Sequence, residues 1–220
     1  MGMRRLSSHR HKSGSSPKAA AAEKRKQILD AAVKVFARKG YYGCRVSDIA
    51  DEAKVAYGLV YHYFQSKEDV LNSIFQERWR VFVELLRALE RQEIPLNDKL
   101  RRIAAAILEA YRMNPEMMEV VIMEIARNAK FFDKANVALF TEAMELIEKM
   151  MAQEAASGRL RPGIPPRLAA YMFFSAIESI LTGSVVGALP ARLLDDEGVL
   201  GNQVVDIFLR GVQGDRGPAA

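Results

Sequence analysis

Tyr57, Tyr61, His62 and Tyr63 bring three phenols and an imidazole into seven residues. Tyr57 and Tyr61 are four apart, so on a helix they share one face. Phenolic hydroxyls, an imidazole and the exposed N–H groups of a helix start suit contacts to phosphates and base edges. Lys67, at the start of the next patterned segment, adds a charge able to reach phosphate. Tyr63 and Phe64 fall on the side of Val60 and are expected to pack inward. Cys44 is the single cysteine. Its one candidate base is His62, and it reads as a passive small residue near a turn. There is no Gly-rich phosphate loop, no Gly-x-Ser-x-Gly and no His-Glu-x-x-His, which speaks against an enzyme. One cysteine and three scattered histidines argue against a structural zinc site. No metal and no cofactor is expected.

The charge is uneven. The chain has 220 residues and a formal charge of +5, yet residues 1–67 carry 14 Lys/Arg against 5 Asp/Glu, and the remainder 18 against 22. Such asymmetry points to a polyanionic partner at the N-terminal end, nucleic acid or an anionic membrane. Residues 1–19 are rich in Ser, Arg, Lys and Ala with little to bury, and read as a disordered basic tail. Lys24, Arg25, Lys26, Lys34, Arg38, Lys39, Arg45, Lys54 and Lys67 instead sit inside patterned sequence. The apolar runs fall short of the ~20 residues of a membrane span, and no apolar segment follows the basic start as in a secretory signal. A lone cysteine excludes an intramolecular disulfide, so a reducing compartment, the cytoplasm, is expected.

Almost every patterned segment has helical periodicity, and none alternates as a half-buried strand does. The fold class is all-α: an N-terminal three-helix helix-turn-helix domain over 20–66, then a helical bundle for ligand binding and dimerisation over 67–212, with a flexible tail at 213–220. The first helix runs from about Ala20 to Lys39 and stops at Gly40. Two short helices follow, Ser47–Ala53 and Tyr57–Phe64, joined by Lys54–Ala56; Ser47 and Asp48 supply a cap and a favourable charge at the first. Ser66, Glu68 and Asp69 open a long helix to about Gln92. Longer helices are predicted at Pro95–Met113, Pro115–Asn128, Asp133–Ala156, Pro166–Ala188 and Val199–Val212. Two short helices around a tight turn behind a basic helix are the geometry of a helix-turn-helix.

The stretch carrying Ile28, Phe36, Gly40-Tyr41, Val46-Ser-Asp-Ile-Ala50, Val55, Gly58, Tyr61-His-Tyr-Phe64 and Ser66-Lys-Glu-Asp resembles the TetR family of bacterial transcriptional repressors. The resemblance implies an all-helical homodimer that binds a palindromic double-stranded operator and is released by a small effector. Carried onto this chain, it implies DNA contacts by Arg45, Ser47, Tyr57, Gly58 through its backbone, Tyr61, His62 and Lys67. The family's frequent Gly-Val-Ser turn is here Lys54-Val55-Ala56. A left-handed lysine would cost about 1–2 kcal/mol, and the missing cap about 1 kcal/mol.

Beyond the head, Met113, Met117, Met118, Met123, Met144, Met150, Met151 and Met172 suit a bundle that accepts a flexible apolar effector. Tyr111, Met117, Met123, Arg127, Met144, Phe174 and Glu178 are the candidate ligand contacts. Glu178 is a lone acid among apolar residues and, if buried, needs a partner: Arg127, Arg167 or a ligand group. Ser175, Ser179, Gly183 and Gly187 form a small-residue stripe, suited to close helix approach in a dimer or to lining a tunnel. The family places its dimer interface on the last two helices, which adds Val205 and Phe208. Met123-Glu-Ile-Ala-Arg-Asn128 and Phe173-Phe-Ser-Ala-Ile-Glu178 are similar to the fatty-acid-responsive branch, which binds long-chain acyl-CoA. That resemblance implies CoA phosphates near Arg127, Arg101, Arg102 or Lys130. The alternatives are a multidrug-type sensor of aromatic or cationic compounds, and a helical membrane-surface protein that binds no DNA.

Overall fold

The computed structural model describes residues 16–125, 134–194 and 198–212. Among them are nine α-helices and no β-sheet: α1 (Pro17–Gly43), α2 (Val46–Ala53), α3 (Tyr57–Tyr63), α4 (Lys67–Glu90), α5 (Leu96–Met113), α6 (Pro115–Ile125), α7 (Lys134–Ala156), α8 (Pro166–Val185) and α9 (Val199–Val212). The order follows the expected periodicities. The differences are at the ends, where local chemistry decides. Ser16 accepts from the Ala19 N–H, with Pro17 in the first turn. Helix therefore covers 17–19, which the composition assigned to the tail; residues 1–15 and 213–220 lie outside the described residues. Gly40 takes φ +69° and kinks α1. Ser47 is not a cap: α2 begins one residue earlier, and the Arg45 N–H donates to Asp48 Oδ2 at 2.8 Å. Ser66 does cap α4, accepting from the Asp69 N–H. Helix α8 stops at Val185, because Gly187 turns left-handed at φ +73°.

The helices enclose two cores. The first joins Ile28, Val35 and Phe36 of α1, Ile49 of α2 and Val60 of α3 to Val70, Leu71, Ile74 and Phe75 of α4 and to Met117 and Val120 of α6. The second joins Val83 and Leu86 of α4 to Leu100 and Ile103 of α5, Ile147 and Met150 of α7, Phe173 and Ile177 of α8, and Val205 and Phe208 of α9. Helices α4 and α6 thus belong to the head as much as to the bundle, and Trp79 packs against both cores. By length and composition α8 could cross a membrane, which a count of uninterrupted apolar residues missed. Here its Ala169, Phe173, Ile177 and Leu181 face the bundle.

Lys54 closes α2 in the left-handed conformation (φ 53°, ψ 46°), alone among described non-glycine residues in having positive φ. Its N–H donates to Asp51 O at 3.1 Å and that of Val55 to Ala50 O at 3.0 Å, the double closure that favours glycine here. We expect Lys54→Gly to raise stability by about 0.5–1 kcal/mol, hence the melting temperature by roughly 1–4 °C, in thermal denaturation followed by circular dichroism. A lower melting temperature would show that the lysine side chain contributes more than its backbone costs.

Candidate nucleic-acid interface and ligand cavity

Helix α3 buries Val60 and leaves its aromatic residues outward. Tyr57 and Tyr61 are 53% and 46% exposed, their rings edge to face at 5.2 Å and the Tyr57 hydroxyl donating to that of Tyr61 at 3.2 Å. The hydrogen bond with Tyr57 holds the Tyr61 phenol above the usual tyrosine range. His62 and Arg45 are exposed and Ser47 half-buried on the same head. Gly58 is exposed, and nothing lies within 4 Å of where a Cβ would stand. The fold itself therefore does not require glycine there. Phe64 is buried and Tyr63 half-buried, packed on the first core. Burial pushes the Cys44 thiol up, away from an activated nucleophile.

Several cations are engaged internally. Lys67 is the main departure from the expected contacts. Its ammonium donates to Tyr41 O at 2.6 Å and Cys44 O at 2.8 Å and sits 4.4 Å from the Tyr41 ring centre. It ties α4 to the α1–α2 junction, because two carbonyls freed by that bend need a donor, and it is not extended outward. Lys39 pairs with Asp48 and Arg38 with Glu52. The hydrogen bond from Lys39 holds the Asp48 carboxyl below the usual carboxylate range. Arg25 pairs with Glu77 and lies over Phe64. The side chains of Lys18, Lys26, Lys34, Arg45 and Lys54 form no ion pair among the described residues.

A cavity of about 360 Å³ opens between α4 and α8, within the size range of small-molecule sites. Phe75 and Trp79 of α4, Ile107 of α5, Met118 and Ile122 of α6, Val137 and Phe140 of α7, and Phe174, Ile177 and Leu181 of α8 supply its apolar walls. Trp79 lies 5.2 to 5.9 Å, centre to centre, from Phe75, Phe140 and Phe174. Two polar residues line it, Asn136 and Glu178. Asn136 is 2% exposed; its Oδ1 accepts from Gln76 Nε2 at 3.1 Å and its Nδ2 donates to Asn72 Oδ1 at 3.0 Å, bridging α7 to α4.

Of the candidate ligand contacts, Phe174 and Glu178 line this cavity. Met117 and Met144 are fully packed core residues, in the first and second core respectively. Tyr111 packs on the bundle core and Met123 is half-buried, neither in the cavity wall. Arg127 and Lys130 lie outside the described residues. Glu178 is exposed rather than buried, so its charge stays hydrated and needs no protein partner; Arg167 pairs with Glu148 instead. Arg101 pairs with Asp206 at 2.7 Å and Arg102 donates to Gln92 Oε1 at 2.9 Å. Sequence reasoning missed Phe75, Trp79, Ile107, Ile122 and Phe140. They come from four helices, with no local motif; aromatic content was the one available signal.

Dimer candidates also divide. Ser175 and Ser179 are exposed on α8. Gly183 answers to its own chain: an added Cβ would stand 2.9 Å from Leu189 Cδ1. Gly187 is the left-handed residue past the helix end. Val205 and Phe208 are buried in the subunit's own core. The large apolar side chains that α8 and α9 turn outward are Leu168, Tyr171, Met172, Val199 and Ile207.

Comparison with known proteins places the chain. The family model for bacterial regulatory proteins of the tetR family matches residues 28–74, and the model for the C-terminal region of YsiA-like proteins matches residues 75–190. The fatty acid metabolism regulator protein of Bacillus subtilis is 29% identical over 187 residues, spanning 84% of this chain and 94% of its own. The structure of transcriptional regulator FadR from Bacillus subtilis in complex with stearoyl-CoA superposes with a TM-score of 0.75 at 27% identity, over 84% of this chain and 98% of that one. The fatty acid degradation regulator FadR of Bacillus halodurans gives 0.74 at 28%, over the same shares. With both models covering consecutive segments from the first core helix to the end of the cavity wall, the chain belongs to the tetR family of bacterial regulatory proteins, DNA-binding transcriptional regulators rather than enzymes, with a YsiA-like C-terminal region.

Proposed function

We propose that this protein is a homodimeric repressor, held in the cytoplasm with its palindromic operator, that a long-chain acyl-CoA releases from DNA. The observation that carries the effector half is the cavity's double allegiance. Phe75 belongs both to the head's core and to the cavity wall, and α6 presents Met117 and Val120 to the head but Met118 and Ile122 to the cavity. An occupant that pushes on Trp79, Met118 or Ile122 therefore loads two helices that the head rests on. Burying one side chain contributes about 1.5–3 kcal/mol, so disturbing one or two such contacts matches the 1–3 kcal/mol typical of coupling between sites. An apolar, aromatic-walled cavity suits an acyl chain, and the FadR structure with stearoyl-CoA supports that class. Trp79, Phe140 and Phe174 would also accept a flat ring, the basis of the multidrug-type reading.

In the DNA half of the reading, Arg45, Ser47, Tyr57, Gly58, Tyr61 and His62 meet the operator. Lys67 contributes by holding the start of α4 against the α1–α2 bend. The dimer forms through the outward faces of α8 and α9, with Ser175 and Ser179 at the closest approach.

Trp79 is the single tryptophan, so its emission reports the cavity. Stearoyl-CoA is expected to change Trp79 fluorescence over the same concentration range that releases operator DNA in an anisotropy titration. No change and no release would overturn the acyl-CoA assignment, and the same two signals from a planar aromatic cation would favour the drug sensor. Gly58→Ala separates fold from function. It should stabilise the free protein by about 0.5–1 kcal/mol and weaken operator binding at least tenfold, because the new methyl meets DNA and not protein. Unchanged affinity would remove Gly58 from the interface.

A further inference from the structure

The start of α1 extends beyond both cores. Every residue from Ser16 to Lys24 is exposed, and the first core side chain is Ile28. Pro17 to Lys24 rises about 12 Å as helix, formed by a cap, a first-turn proline and four alanines, residues that favour helix without burying anything. Between Ser16 and Lys26 the charges are Lys18, Lys24, Arg25 and Lys26 against Glu23. Arg25 is committed to Glu77 and Phe64, whereas Lys18 and Lys26 have no acidic partner among the described residues. Hydrogen bonds fix where this segment leaves the head. Lys24 Nζ donates to Gln27 Oε1 at 3.0 Å, and Gln27 Nε2 donates to Ala53 O at 2.7 Å, the residue before left-handed Lys54. The segment therefore leaves the head beside the end of α2, where the α2–α3 turn begins. It also precedes the matched family segment, which begins at residue 28.

We propose that residues 16–26 form a second DNA-contacting arm, laid along the phosphate backbone that flanks the half-site met by α3; this rests on the DNA-binding reading of the head. The unpartnered lysines, on a segment that leaves the head where the helix-turn-helix turn begins, point to duplex DNA. A membrane would require large apolar side chains on one side of the helix, and residues 17–24 offer nothing larger than alanine and proline among their apolar residues.

The test begins with a duplex selected from a random pool by the full chain. Affinity is then measured against salt on that duplex trimmed to its half-sites, and with flanks of about one helical turn at each end. The variant combines Lys18→Ala and Lys26→Ala, exposed positions where alanine keeps the helix; its melting curve should match wild type. On the flanked duplex the slope of log affinity against log salt should become shallower by about 2 per arm, near 0.9 for each phosphate that is no longer neutralised. On the trimmed duplex it should stay that of wild type. Equal slopes on the flanked duplex, or equal reductions on both, would overturn the arm. So would unchanged DNA binding with loss of binding to phosphatidylserine–phosphatidylcholine vesicles, which would assign the segment to a membrane. Failure of the wild-type chain to select any duplex would sink the DNA-binding reading itself, and this arm with it.

Discussion

The structure depends on α4 and α6 being packed into two cores at once. Close-packed interiors transmit displacement instead of absorbing it. Phe75 is 3% exposed within the head's core and also forms cavity wall, and Trp79, one turn further along α4, touches both cores. No flexible linker separates head from bundle among the described residues. In the mechanism we propose, a change in the cavity reaches the head through these side-chain contacts, and the converse holds with the same free energy.

A polar tie sits at the same junction. Asn136 is almost fully buried in a wall whose one other polar residue is Glu178, and its amide bridges two α4 residues, Asn72 and Gln76. A buried amide is costly unless hydrogen-bonded and, once bonded, fixes geometry more strictly than apolar contact does. It holds α7 in register against the part of α4 that carries the head.

The head uses much of its own positive charge internally. Arg25, Arg38, Lys39 and Lys67 each close a contact between helices. The exposed ion pairs among these contribute little to stability, about 0–1 kcal/mol each, but they decide which cations remain free for a partner. Left-handed Lys54 and helical Gly58, flanking the start of the outermost helix, are both locally unfavourable choices. Such choices concentrate where function constrains the backbone.

What the sequence determined by itself was local, apart from helix ends such as the start of α2, where Arg45 and Asp48 and not Ser47 make the cap. Helical periodicity, the Ser66 cap, the break at Gly40 and the short-helix pair around Lys54–Ala56 involve residues within a few positions of one another, so their physics is legible in order. The outward Tyr57 and Tyr61 followed from a spacing of four on a helix too short to hide both. Tertiary structure alone decided which face of each long helix meets which neighbour. Met117 and Met144 have the adaptable chemistry of a ligand pocket but pack into cores, while Phe75, Trp79, Ile107 and Phe140, from three distant helices, converge on the cavity. Val205 and Phe208 turned inward and Ile207 outward, although Ile207 and Phe208 are neighbours on the same helix. The reason is physical: an apolar side chain carries no mark of whether it fills a core, a cavity or an interface, and only the packing of the whole chain assigns it.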